Sequence, residues 1–333
     1  MCTRKRALGA VTGLLFLFAA APATLAVDFH FTVTADPRGS HTNFGNTLQA
    51  INTYMGGPGV FHVTVGDFDN TVPENRAVID TKFGVAAIWY PIIGNHEEET
   101  GEDMQWLRAE YDNGNGVRTA LKTYTNQDGP TGTVRTTYSW GYGNAHFVAL
   151  NEYWNGGTTE GTGTDISKDD TAANGDVVAA LRSWLAADLA ANTKPAVFIF
   201  GHEPAFPENR HVGDSLDGHP ANRDAFWSLL ETENVLAYLV GHTHIYSTHL
   251  GDKDGIGDVW QIDVGNAGND TDSDGLTFLD VRVTNTLVYY SVYNNSGGWH
   301  LEESWTQPAP EPATLALVAL GGLGLALRRR RAA

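Results

Sequence analysis

Val60-Phe61-His62-Val63-Thr64-Val65-Gly66-Asp67 reads as a short β-strand that stops on a glycine and a carboxylate. The same construction recurs on both sides of it. Phe29 to Ala35 alternates like a strand and stops at Asp36-Pro37, and Ala86 to Ile93 stops at Gly94-Asn95-His96. Pro195 to Phe200 stops at Gly201-His202, and Val235 to Val240 stops at Gly241-His242-Thr243-His244. Between these runs, helices are predicted near 44–55, 74–83, 103–111, 176–191 and 221–232. Leu181, Trp184, Leu185 and Leu189 fall on one helical face. Strands alternating with helices predict an α/β or mixed-sheet core. Val259–Val264, Thr277–Val283 and Leu287–Tyr293 read as consecutive strands closing a second sheet. The stretches 111–135 and 155–175 read as long surface loops. Neither a repeat of 20–50 residues nor a coiled-coil run is present.

Open α/β sheets gather their ligand residues just beyond strand ends. Asp36, Asp67, Asn95, His96, His202, His242 and His244 all stand there, and carboxylate, amide oxygen and imidazole are metal-ligand types. Four motifs follow in order: Gly66-Asp67, Gly94-Asn95-His96-Glu97, Gly201-His202-Glu203-Pro204 and Gly241-His242-Thr243-His244. Together they resemble the calcineurin-like metallophosphoesterase superfamily, which includes purple acid phosphatases and phosphodiesterases. The resemblance covers most of residues 28–293. It implies an α/β fold, a four-layer αββα sandwich of two mixed β-sheets flanked by helices. It also implies two metal ions (Mn, Fe or Zn) bridged by Asp67, one taking Asp36, Asp67 and His244 and the other Asp67, Asn95, His202 and His242. A hydroxide between the ions would attack a phosphomono- or phosphodiester. His96 would serve the leaving oxygen, with Glu97 tuning its charge.

The sequence departs from the family pattern in places. The first motif of the family reads Asp-x-His, whereas this chain has Asp36-Pro37-Arg38, and a guanidinium cannot coordinate a metal. Arg38 would therefore bind substrate phosphate or pair with a neighbouring Asp. The first ion would bind less tightly or take an extra water, and His41 is a substitute ligand or a solvated loop residue. Asn70 stands where purple acid phosphatases carry tyrosine, so an iron–tyrosinate centre is not expected. Asp252–Gly255 and Asp270–Gly275 resemble the start of a calcium loop, although Asp-Gly pairs also make turns. His211 and His219 lie in a loop, 206–220, that would border the substrate. Among nine tryptophans, Trp140, Trp154, Trp260, Trp299 and Trp305 read as packing or as a glycan-binding rim.

The two ends predict export. Arg4-Lys5-Arg6, an apolar run from Leu8 and the small residues Ala23-Thr24-Leu25-Ala26 make a signal peptide over 1–26. Residues 27–306 form the phosphoesterase domain. Residues 307–333 form a tail with a Pro-Glu-Pro signature, an apolar segment 313–327 and four arginines, resembling the PEP-CTERM sorting signal. Its helix would span about 22 Å. The resemblance implies an exosortase-type protease as partner, transient membrane anchoring, and delivery to the envelope or exopolysaccharide matrix of a bacterium. The only cysteine, Cys2, falls in the leader, so the body folds without a disulfide. Residues 27–306 hold 14 Lys and Arg against 38 Asp and Glu, a balance that argues against nucleic-acid binding. The competing reading is a matrix or envelope binding protein on the same fold with little or no catalysis.

Overall fold

Strand β7 (Ala196–Phe200) dictates the layering. Ala196, Phe198 and Phe200 enter one apolar cluster, and Val197 and Ile199 enter another. Successive strand residues point to opposite faces, so a strand apolar on both must be covered twice. The same alternation holds in β6 (Ala145–Ala149), through Phe147 against Val148, and in β8 (Ala237–Val240), through Leu239 against Tyr238 and Val240.

The computed structural model describes residues 27–69, 72–99, 101–113, 127–133, 135–154, 156–157, 175–251, 258–268 and 274–310. The leader, the tail beyond Pro310, Asn70, most of both long loops and most of both acidic loops lie outside the described residues. Among the described residues no helix is long and apolar enough to cross a membrane.

One sheet runs β13 (His300–Pro308), β12 (Leu287–Asn294), β11 (Thr277–Thr284), β1 (Asp28–Thr34), β2 (His62–Val65), β3 (Trp89–Ile92). The other runs β4 (Gln127–Asp128), β5 (Tyr138–Tyr142), β6, β7, β8, β10 (Trp260–Val264), β9 (Tyr246–Leu250). β1, β2 and β3 are parallel, as are β6, β7, β8 and β10; the other pairings are antiparallel, so both sheets are mixed. The sheets meet through aromatic rings, with Phe31 edge-on to Phe147 at 5.3 Å and to Phe198 at 5.5 Å, and Phe61 edge-on to Phe147 at 5.1 Å. Each such pair adds about 0.5–1.5 kcal/mol beyond area burial.

Helices cover the outer faces. On the first sheet lie α1 (His41–Met55), which buries Phe44, Leu48 and Ile51 at helical spacing, and α2 (Val72–Phe83). Short α3 (Asn95–Glu99) and α4 (Gly101–Asn113) follow β3. On the second sheet lie α5 (Ala179–Ala191), through Leu181, Leu185 and Leu189, and α6 (Pro220–Thr232), through Phe226 and Leu230. The result is the expected αββα sandwich.

The helix-facing side of β1 and β2 is polar. The buried His62 ring lies 2.9 Å from the hydroxyls of both Thr32 and Thr34. Burial pushes its pKa down to about 3, so the ring is neutral.

The strands after residue 259 correct the expectation of a second sheet built from them. Only β10 joins the second sheet; β11 pairs antiparallel with β1, and β12 and β13 extend the first sheet outward. Local alternation identifies a strand but not its partner, which long-range pairing sets. The expected spacer also begins later. β13 continues through Gln307 to Pro308, and Ala309 N–H donates to Thr286 O at 2.9 Å. An edge strand tolerates that proline. The tryptophans pack rather than form a rim: Trp140 and Trp154 are buried, and Trp260, Trp299 and Trp305 lie half-buried against the core.

Candidate metal centre

The parallel strands β1, β2, β3, β7 and β8 all end at one edge of the sandwich, and Asp36, Asp67, Asn95, His202 and His242 follow them directly. Glycines precede several of these residues for a steric reason. A Cβ on Gly66 would collide with the His202 ring, and one on Gly94 with the Asp67 carboxylate. Asp36, Arg38, Asp67, His242 and His244 carry φ of 49°, 48°, 59°, 71° and 61°. Non-glycine residues rarely hold this left-handed conformation, and clustered examples mark functional strain.

Two ligand sets emerge. One side-chain donor each from Asp67, His202 and His242 lie within 4.8 Å of one another, and so do those from Asp36, Asp67 and His244. Asp67 is common to both. Asp36 Oδ1, Asn95 Oδ1, His202 Nε2 and His242 Nε2 are buried with no hydrogen-bond partner. Orphaned acceptors of this kind cost free energy unless a cation or water satisfies them. His202 Nδ1 lies 2.7 Å from Val65 O, a pure acceptor, so Nδ1 carries the proton and Nε2 presents its lone pair. These residues fit a metal centre.

The calcineurin-like phosphoesterase family matches the chain over residues 29–246. The chain belongs to that family. Residues 308–331 match the PEP-CTERM protein-sorting motif, which indicates export, envelope sorting and recognition by an exosortase. No curated protein matches the chain. Among solved structures, PhoD is 13% identical, with a TM-score of 0.54 over 87% of this chain and 71% of that one. A phosphatase from Mycoplasma pneumoniae is 13% identical, with a TM-score of 0.43 over 88% and 98%. A 5'-nucleotidase precursor from Thermus thermophilus is 11% identical, with a TM-score of 0.41 over 91% and 60%. The likeness to PhoD supports the phosphoesterase fold.

All eight sequence-predicted site residues gather at this edge, and three residues around the ligands take roles the sequence left open. First, Arg38 pairs with neighbouring carboxylates, one of its two expected roles: its Nη1 lies 3.2 Å from Asp67 Oδ2 and its Nε 3.1 Å from Asp69 Oδ2. Second, Glu97 does not tune His96. Its carboxylate accepts N–H groups of Gly94, Asp67 and Phe68, pinning the loops that hold the ligands. Burial, then the charge on Asp67, pushes it up to about 8 against those donors. Adjacent helical residues point in different directions, so Glu97 faces away while Asp69 Oδ1 sits 3.0 Å from His96 Nδ1. Third, His41 opens α1 and lines a crevice with Ala77, Val78 and Lys82 of α2, and belongs to neither ligand set.

The 206–220 loop contributes more than its sequence suggested. The His211 ring lies 4.1 Å from that of His242, and Arg210 Nη1 lies 2.7 Å from His244 Nδ1. Asn209 and His211 carry φ of 64° and 56°, so this loop too is held in left-handed backbone beside the site. His219 instead precedes α6, where it marks the helix start. Beneath His202, buried Glu152 accepts the backbone N–H of His202 at 2.9 Å and of Glu203 at 2.8 Å, fixing the β7 exit loop.

Proposed function

We propose that the chain is an exported, metal-dependent phosphoric ester hydrolase acting on phosphomono- or phosphodiesters outside the cytoplasm. The observation that carries this reading is the set of buried, unpartnered donors on Asp36, Asn95, His202 and His242 around a shared Asp67. Asp36, Asp67, Asn95, His202, His242 and His244 would hold metal; Mn, Fe and Zn all suit this donor set. When bound, the metal supplies Lewis acidity and a water of lowered pKa.

The chain's own residues do the rest. His96 holds its Nδ1 against Asp69, leaving Nε2 turned to the ligand cluster, 3.7 Å from Asp67 Oδ2. A proton on Nε2 can pass to the leaving alkoxide oxygen as the ester bond breaks, while Asp69 stabilises the imidazolium. Arg38, part-exposed beside Asp67, orients a phosphoryl oxygen. Val65 and Glu152 lock His202 by its ring and its backbone.

The sorting motif supports delivery to the envelope, with segment 313–327 as a transient anchor before exosortase processing. The second reading, a binding protein on the same fold, rests on the Arg38–Asp67 ion pair, which places a guanidinium against the bridging carboxylate.

The test is hydrolysis of p-nitrophenyl phosphate and bis-p-nitrophenyl phosphate by the purified chain with Mn²⁺, with Asp67→Asn as control. Asparagine tolerates left-handed backbone, so this control keeps the loop. Turnover on either ester, lost in Asp67→Asn, supports the hydrolase. Bound metal with no turnover on either favours the binding protein.

A further inference from the structure

The two ligand sets are not equivalent, and the difference lies in the cations already built around them. On one side Asp67 Oδ1 lies 3.2 Å from His202 Nε2, and Asn95 Oδ1, His202 Nε2 and His242 Nε2 are unpartnered. That side has three buried atoms with no partner, whereas among the ligands of the other side only Asp36 Oδ1 is buried and unpartnered. On the other side Asp67 Oδ2 is engaged by Arg38 Nη1 at 3.2 Å. His244 meets Arg210 through Nδ1 at 2.7 Å. Arg210 thus sets a guanidinium against the ring whose Nε2 faces Asp36 Oδ1 at 3.2 Å. His202 has no such neighbour: its Nδ1 donates to Val65 O.

Two guanidiniums thus flank the Asp36–Asp67–His244 set, one on a ligand oxygen and one on the ring that would complete the coordination. A divalent cation there would face like charge at short range. Resting on the hydrolase reading, we infer that this chain holds one metal ion tightly, at Asp67, Asn95, His202 and His242. Arg38 and Arg210 supply the positive charge that a second ion would otherwise bring. Arg38 is then a substrate-side cation in its own right, and the enzyme class is a one-metal, arginine-assisted phosphoesterase.

The test is metal stoichiometry. The purified chain is stripped with chelator, loaded with Mn²⁺, dialysed and measured for Mn per chain by elemental analysis. The same samples are examined by electron paramagnetic resonance. The expected result is one Mn²⁺ per chain with an uncoupled mononuclear signal. A second ion, if titrated in, should bind at least about tenfold more weakly. Arg38→His, which restores a ligand and removes a charge, should bind two ions and give an exchange-coupled signal. Arg38→Gln and Arg210→Gln, which remove charge only, should each strengthen second-ion binding. Two ions of equal affinity in the unsubstituted chain would overturn the inference and leave the hydrolase reading intact. One ion in Arg38→His would overturn it as well, while no ion at all in the unsubstituted chain would overturn the hydrolase reading itself.

Discussion

The bodies of the parallel strands and their ends obey opposite rules. Within the sandwich, Phe31, Phe61, Phe147 and Phe198 pack ring against ring with no exposure, and buried His62 has a hydroxyl at each ring nitrogen. A residue or two beyond, the backbone turns left-handed at Asp36, Asp67 and His242, and lone pairs on four buried side chains have no partner. The bodies are satisfied and make stability. The ends are strained and unsatisfied, and they are where a ligand has something to offer. Fold and chemistry are therefore separable by substitution.

The largest expected effect is at the ends. Asp67→Asn removes the charge shared by both ligand sets and should lower turnover at least about 10³-fold, as several kcal/mol of transition-state stabilisation go with the metal. Steady-state rates on p-nitrophenyl phosphate measure it. In the bodies, Phe198→Ala should cost about 3–5 kcal/mol of stability by urea unfolding, with metal content per folded chain unchanged. Loss of metal there would break the separation.

Residue His62 gives the comparison a pH axis. Its folded pKa, about 3, lies below the usual histidine value, so the unfolded chain takes up the proton first as pH falls. Stability from this group is complete above about pH 6.5 and declines by about 1.4 kcal/mol per unit towards pH 3. Unfolding in chelator at pH 7 and pH 5 should show this loss, and His62→Gln should lack it. An equal loss in both chains would mean the ring is not held neutral. The smallest effect is at Asp69. Asp69→Asn removes the partner of His96 Nδ1 and should lower turnover about tenfold, with the alkaline limb of the pH–rate profile moved to lower pH and metal content unchanged.

The strand ends were legible because a glycine and a ligand after an apolar run is a local pattern. Much of the rest is not local. β5 carries Gly141 in its middle, β9 is Tyr246-Ser247-Thr248-His249-Leu250, and β13 is rich in Glu, Ser and Thr. Edge and half-exposed strands of this kind carry no clean alternation, and the placement of β11 beside β1 depends on residues some 250 positions apart. Within the site, ligand types were readable and their neighbours were not. Asp69 acquires meaning from His96 in space, and Arg210 from His244, although nothing in the 206–220 loop has a periodic signal. Glu97 was misread because adjacency in sequence is not contact: it faces three backbone N–H groups while its neighbour faces the ligand cluster.

The most direct measurement is the thermal midpoint of the unsubstituted chain and of Asp67→Asn, each in chelator and in saturating Mn²⁺. Strained, unsatisfied strand ends awaiting a cation predict that Asp67→Asn is at least as stable as the unsubstituted chain in chelator. Metal should then raise the unsubstituted chain by about 5 °C or more and leave the variant nearly unmoved. An unsubstituted chain indifferent to metal, or a variant that gains as much, would contradict the assignment of these strand ends as the metal centre.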